Sequence, residues 1–300
     1  MSQTLKSEQQ FVVDLLTTLH EEKFSAAAWW RFLVRSWQMS CATAADHPTL
    51  MRSWLRLTAL IGVLMLSILL ATALTEGSIV MLRLLPGLLF CVVWQQSDLF
   101  WHLGLNKPSS LADKNDTTTI LPTVGIANTL TMLRGLCAGY LLARLVGGLA
   151  TPSGLALGIF IVGVVTDILD GQVARRTGTQ SKLGQIADGE TDFCLYLALT
   201  IILIQNNVLP LWVGLLILLR FIVPLLAALL SYFWLARPVR FGSTVWGKYA
   251  GLAQCLYFFV LLAPSMLSRL TMYLTTPLLI VTVVLLVIAP IAQISNNLRS

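Results

Sequence analysis

Charge is what this chain has little of. Only 11% of its 300 residues are Asp, Glu, Lys or Arg, while 56% are hydrophobic; a soluble domain carries about 25% charged residues. The shortage excludes an ordinary water-soluble globule. Together with long apolar runs and a mean hydropathy of +0.79, it puts the chain in a membrane. Paired-cysteine motifs are missing as well. Cys41, Cys91, Cys137, Cys194 and Cys255 are odd in number, form no CxxC, and lie mostly within or beside apolar runs. They read as small buried hydrophobes, not as a disulfide framework or a zinc site. His20, His47 and His102 are scattered without ligand spacing. There is no internal repeat and no low-complexity tract, and nucleic acid is not an expected partner. No secretory leader or transit peptide is expected, because the first long apolar run begins near Trp54, after a stretch holding Asp14, Glu21 and Glu22.

Residues 1–50 are polar to amphipathic. Phe11, Val12, Leu15, Leu16 and Leu19 recur at helical spacing. Residues 25–39 mix Trp29, Trp30, Phe32, Leu33 and Trp37 with Arg31 and Arg35. That mixture fits a helix lying among lipid headgroups, with a soluble helical cap packed on itself as the alternative. Eight apolar segments then approach the roughly 20 residues a bilayer core requires: 54–74, 79–96, 128–148, 154–171, 188–206, 209–233, 248–266 and 271–292. Between the second and third lies a polar stretch with Lys107, Pro108, Lys114, Asn115 and Asp116, which reads as a linker. The organisation expected is an N-terminal segment over 1–50, a two-helix membrane extension over 51–98, a linker over 99–121 and a six-helix domain over 122–295.

The net charge is +6, but on a membrane protein the placement of cations matters more than their sum. With the N-terminus inside, Lys107, Lys114, Arg175, Arg176, Lys182, Arg237, Arg240 and Arg299 all fall on the inner side. Arg144 and Arg269 are the main cations near the other side. The 172–187 loop is therefore expected in the cytoplasm.

Acidic residues concentrate in one place. Asp167 and Asp170 are three apart at the inner end of the fourth span, and Asp188 and Asp192 are four apart at the start of the fifth. Either spacing puts both carboxylates on one helix face. A short connection makes the two helices antiparallel neighbours, so four carboxylates converge. Such a cluster inside an oily chain is a functional-site hypothesis by default. Four adjacent anions repel, and divalent metals relieve the repulsion. An oxygen-only ligand set favours Mg²⁺ or Mn²⁺, and two such ions suit an in-line displacement at a diphosphate. Gly171 and Ala174 leave room for a ligand beside the backbone, Arg175 offers a planar fork for phosphate oxygens, and Gly184 permits close helix contact. The plain alternative is ordinary charge at a helix end. Eight specified positions at fixed spacing match by chance with a probability on the order of 10⁻¹⁰ per window, which argues against it.

Residues 167–192 read D-x2-D-G-x2-A-R-x8-G-x3-D-x3-D. This resembles the signature of the CDP-alcohol phosphatidyltransferase family at every specified position, and the resemblance extends over about 120–292. It implies a polytopic all-α membrane enzyme with six core helices, usually homodimeric, here carrying two extra N-terminal transmembrane helices. It implies transfer of a phosphatidyl or phosphoalcohol group from a CDP-linked donor to an alcohol, with release of CMP. By the resemblance, Asp167, Asp170 and Asp188 are metal ligands. Asp192 is the general base and also touches a metal, and Gly171, Ala174 and Arg175 contact the CDP moiety. On the residues alone, both the base and the ligand role are open to Asp192.

Asn128-Thr-Leu-Thr-Met-Leu-Arg134 resembles the Asn-x-Leu-Thr-x-x-Arg stretch that opens the first core helix in many members. That likeness assigns Asn128, Thr131 and Arg134 to the nucleotide and metal site. An N-cap followed by a snorkelling arginine is the alternative. Arg220 lies mid-span, where an isolated arginine is expected to face an interior polar cavity, and Pro224 is expected to bend the same helix. Gly247, Lys248 and Gln254 match a G-K-x2-T-x2-Q stretch of the phosphatidylglycerophosphate synthase-like subgroup, with Gly251 replacing its threonine. Arg220 and Lys248 are therefore the expected acceptor-binding cations. Arg237 and Arg240 serve either the acceptor or positive-inside anchoring.

The expected activity is phosphatidyl transfer from CDP-diacylglycerol to glycerol 3-phosphate at the inner face of a bacterial plasma membrane. Other acceptors (phosphatidylglycerol, serine, inositol phosphate) or a CDP-amino-alcohol donor are the alternatives within that chemistry. A divalent-cation transporter is the alternative outside it.

Overall fold

The computed structural model describes residues 16–108, 120–235, 245–264 and 267–299, all helix and connection with no strand among them. After a helical stretch over 16–21, the helices are α1 (Ala26–Asp46), α2 (Pro48–Thr75), α3 (Ser78–Trp101), α4 (Gly125–Val146), α5 (Ser153–Thr177), α6 (Lys182–Gln205), α7 (Leu211–Leu235), α8 (Val245–Leu262) and α9 (Ser268–Arg299). Every expected span has its helix. Among the described residues, six are long and apolar enough to cross a membrane: α2, α3, α4, α5, α8 and, over Arg269–Ala292, α9. Helix α7 is apolar over Leu211–Ala227, and α6 carries Asp188, Glu190 and Asp192. The chain is an all-α, polytopic integral membrane protein.

Helix α4 is the axis of the bundle. Its residues enter two apolar cores: Met132, Leu136 and Tyr140 pack with α2 and α3, while Ala138 and Leu141 pack with α5 to α9. Against α3 it lays a ridge of small residues, Gly135, Gly139, Ala143 and Gly147. A Cβ on Gly139 would stand 2.9 Å from the Cβ of Cys91, and one on Gly147 would stand 2.9 Å from the carbonyl oxygen of Arg83. From the other side, a Cβ on Gly87 would meet the Cα of Ala143 at 2.9 Å. The two helices thus approach nearly backbone to backbone, as small-xxx-small ridges allow in membranes.

At the end away from the acidic cluster, α2 turns into α3 through Glu76 and Gly77; Gly77 has φ 99°, which glycine tolerates best. Arg144 at the end of α4 donates to both Glu76 oxygens at 2.7 and 2.9 Å, and to Tyr140 Oη at 3.0 Å. That hydrogen-bonded pair holds the Glu76 carboxyl below the usual carboxylate range.

Helix α1 starts at Ser25, whose Oγ accepts from the Ala28 N–H. Trp29 and Phe32 pack on Phe233 of α7, and Trp37 packs on Phe100 and Trp101 of α3. Trp30 and Leu33 stay exposed. The helix therefore packs on the bundle and still presents an apolar face. Leu16 and Leu19 are buried; Phe11, Val12 and Leu15 lie outside the described residues, as do Lys114, Asn115, Asp116, Arg237 and Arg240.

One expectation is corrected. The 172–187 loop shrinks to residues 178–181, because α5 continues to Thr177 and α6 begins at Lys182. Gln-Val-Ala-Arg-Arg favours helix. Gly178, in the left-handed conformation at φ 65°, ends α5, and Ser181 caps α6 by accepting from the Gly184 N–H at 3.1 Å. The carboxylates consequently lie about two to three turns inside their helices rather than at the helix ends.

Candidate active site

Three helices build the site in layers spaced by one helical turn. In the outermost layer, Asn128 of α4 donates to Val124 O at 2.8 Å. Its Oδ1 stands where a side chain on Gly184 would be, 2.9 Å from that Cβ position. Gly184 therefore lets α6 close on α4. One turn deeper, the Thr131 hydroxyl donates to Asp170 Oδ2 at 2.9 Å. Asp170 is buried, whereas Asp188 across from it is 44% exposed. One ligand oxygen each from Asp167, Asp170 and Asp188 lies within 4.8 Å of the others.

The deepest layer holds Arg134, whose side chain is 0% exposed. Its guanidinium reaches all four carboxylates. Nη1 donates to Asp167 Oδ1 at 2.8 Å, Nη2 donates to Asp188 and stands 3.4 Å from Asp170 Oδ2, and Nε stands 3.2 Å from Asp192 Oδ1. Nε also donates to Thr191 Oγ1 at 3.3 Å. With all four acids ionised, one guanidinium leaves three negative charges uncompensated. Carboxylate oxygens 4.8 Å apart repel by about 3.5 kcal/mol per pair at an effective dielectric near 20. Such an all-oxygen set with surplus negative charge fits a hard divalent cation.

Around this centre, Arg175 is exposed and folds back over Gly171: a Cβ there would stand 3.1 Å from its Nη1. Ala174 is half-buried beside it. Arg220 of α7 donates to Gln254 Oε1 at 2.6 Å and to Gly247 O at 3.2 Å, both on α8. A Cβ on Gly251 would lie 2.9 Å from its Nη2, so the absence of threonine at that position makes room for the guanidinium. Among the described residues no carboxylate forms an ion pair with Arg220, but Asp192 lies near enough for their charges to interact. Lys248 is exposed in the first turn of α8.

The family profile of CDP-alcohol phosphatidyltransferase matches residues 124–288. The chain belongs to the CDP-alcohol phosphatidyltransferase family. No curated protein and no solved structure gives a significant match. The matched segment runs from the residue before α4 into α9, so it spans the whole layered site and leaves α1, α2 and α3 outside. CDP-alcohol phosphatidyltransferases move a substituted phosphate group from a CDP-alcohol to an alcohol acceptor in the membrane, using a divalent metal. Membership in a transferase family sets the cation-transport reading aside.

Sequence reasoning missed three residues at the site. Thr191 sits between the two α6 carboxylates and accepts from Arg134. Gln95 and Trp94 of α3 reach the same helices, with Gln95 Nε2 donating to Gly135 O at 3.0 Å and Trp94 donating to Glu190. The four-residue spacing of small residues on α4 was a visible signal for a close partner helix, though not for which helix it is.

Proposed function

We propose that this transferase moves a phosphatidyl group from CDP-diacylglycerol to glycerol 3-phosphate. The observation that carries the acceptor is Arg220. It is a guanidinium within a membrane helix, bonded to a neutral amide and a carbonyl, near Asp192. A half-buried cation with no carboxylate ion pair among the described residues suits an anionic ligand, and a phosphate on the acceptor supplies the charge while its hydroxyl faces the carboxylates. Lys248, exposed at the mouth of the same helix pair, is the second acceptor cation.

Asp167, Asp170 and Asp188, with Asp192, are the ligands for two Mg²⁺ or Mn²⁺ ions, whose chemistry when bound is neutralisation of the diphosphate and of the departing CMP. Arg175, with Gly171 and Ala174 beside it, binds the CDP moiety, and Asn128, Thr131 and Arg134 line that site from α4. Asp192 takes the acceptor's hydroxyl proton. The hydroxyl oxygen bonds to the phosphorus that bears the diacylglycerol. The bond from that phosphorus to the bridging oxygen breaks, and its electron pair leaves with CMP.

On this reading residues 122–295 form the catalytic domain, 99–121 the linker, 51–98 the membrane extension and 1–50 an interfacial segment. Arg175, Arg176 and Lys182 around the α5–α6 turn favour a cytoplasmic site at a bacterial inner membrane. The working unit is a homodimer, as is usual in the family. The test is purified protein with Mg²⁺ or Mn²⁺, CDP-diacylglycerol and radiolabelled acceptors. Label is expected in lipid with glycerol 3-phosphate. Product only with serine, inositol phosphate or phosphatidylglycerol would replace the acceptor.

A further inference from the structure

We propose that the membrane extension is part of the catalytic apparatus, with Gln95 of α3 acting as a positioning residue for the carboxylate cluster. The claim rests on the metal role assigned above. Helices α2 and α3 lie outside the family match, yet α3 touches α4 and α6, two of the three helices that carry the deepest layer of the site. Along α4 it is held by the glycine ridge at Gly139, Ala143 and Gly147. Gln95 continues that register, four residues after Cys91 and opposite Gly135.

At Gly135 three helices meet. A Cβ there would stand 2.9 Å from Gln95 Cδ and 2.9 Å from Thr191 Cγ2. The Gln95 amide is 4% exposed, donates to Gly135 O at 3.0 Å, and therefore fills the crevice between α4 and α6. The chain neighbours of these contacts are the site itself. Gly135 follows Arg134, the guanidinium reaching all four carboxylates, and Thr191 Oγ1 accepts a hydrogen bond from Nε of that arginine while preceding Asp192. One residue before Thr191, Glu190 accepts from Trp94 of α3. At about 100° per residue, Glu190 points away from the carboxylates on either side of it. Helix α3 thus grips α6 from behind, on the residues that separate Asp188 from Asp192. A shift of α3 would change the rotation of α6 and the seating of Arg134 together.

Groups behind a ligand shell typically change metal affinity or activity 10- to 100-fold when removed. The test uses the full chain in nanodiscs with Gln95→Met, which keeps the volume and drops the amide, and Gln95→Asn, which keeps an amide on a shorter stem. Leu262→Ala, in the apolar core at the far end of α8, controls for a general packing defect. Mn²⁺ binding is followed by electron paramagnetic resonance without turnover, alongside kcat, KM and the melting temperature. Gln95→Met is expected to weaken Mn²⁺ binding and lower kcat by about tenfold or more, with KM and melting temperature near wild type, and Gln95→Asn to fall between. Wild-type Mn²⁺ affinity and kcat in both Gln95 variants would overturn the proposal. So would an equal loss of Mn²⁺ affinity in Leu262→Ala, which lowers the melting temperature without touching α3. Failure of the wild type itself to bind Mn²⁺ would instead sink the metal assignment.

Discussion

Arg134 Nε and Asp192 Oδ1 stand 3.2 Å apart, and the same guanidinium meets the other three carboxylates, so the group assigned as base shares its counter-ion with the groups assigned as ligands. Breaking a buried pair from one side costs about 3–5 kcal/mol, because the remaining charge is left without its partner. Arg134→Met leaves four carboxylates together with no cation. Its melting temperature in EDTA is expected to fall well below that of wild type, and its rise on adding Mg²⁺ to exceed the wild-type rise. Equal Mg²⁺-induced shifts in thermal unfolding would contradict the counter-ion role.

Asp188 shares both the three-carboxylate set and the Arg134 guanidinium. Asp188→Ala is expected to lower CMP release by roughly three orders of magnitude or more. The check is CMP formation measured over a range of Mg²⁺ concentrations; turnover near wild type would contradict the ligand assignment.

Arg220 is tied to α8 through Gln254 and Gly247 rather than to the carboxylates. Losing a charge-assisted bond to an anionic acceptor is worth about 1.5–3 kcal/mol, or roughly 10- to 100-fold. Arg220→Ala is therefore expected to raise the KM for the acceptor by that factor while the KM for the CDP-linked donor stays put. Equal changes in both constants would remove Arg220 from the acceptor site.

The Glu76–Arg144 pair gives a pH signature. A carboxyl held below its unfolded value contributes stability above the unfolded pKa near 4.5, and that contribution disappears as pH falls through the lower folded value. Glu76 is 36% exposed, so solvent screening keeps the pair to about 0.5–1 kcal/mol. Glu76→Gln is expected to melt slightly below wild type at pH 7 and to match it below about pH 4. A gap that persists in acid would place the effect elsewhere than in the carboxylate's charge.

The spans and the acidic signature could be read from the chain because both are local patterns, a hydropathy run in one case and residues within 25 positions of one another in the other. The reach of α5 and α6 beyond the carboxylates was harder to see, since Arg175, Arg176 and Lys182 make a charged helix turn look like a loop. Arg134 was placed near the site by its motif. That one guanidinium would touch all four acids depends on how α4, α5 and α6 cross, which periodicity does not encode. The grip of Gln95 on Gly135 joins residues 40 apart through tertiary packing alone.

Seven residues of helix separate Asp170 from the end of α5, a rise of roughly 10 Å. The acids are therefore recessed from the α5–α6 turn, and a group that approaches them from that turn has to reach past about two turns of helix.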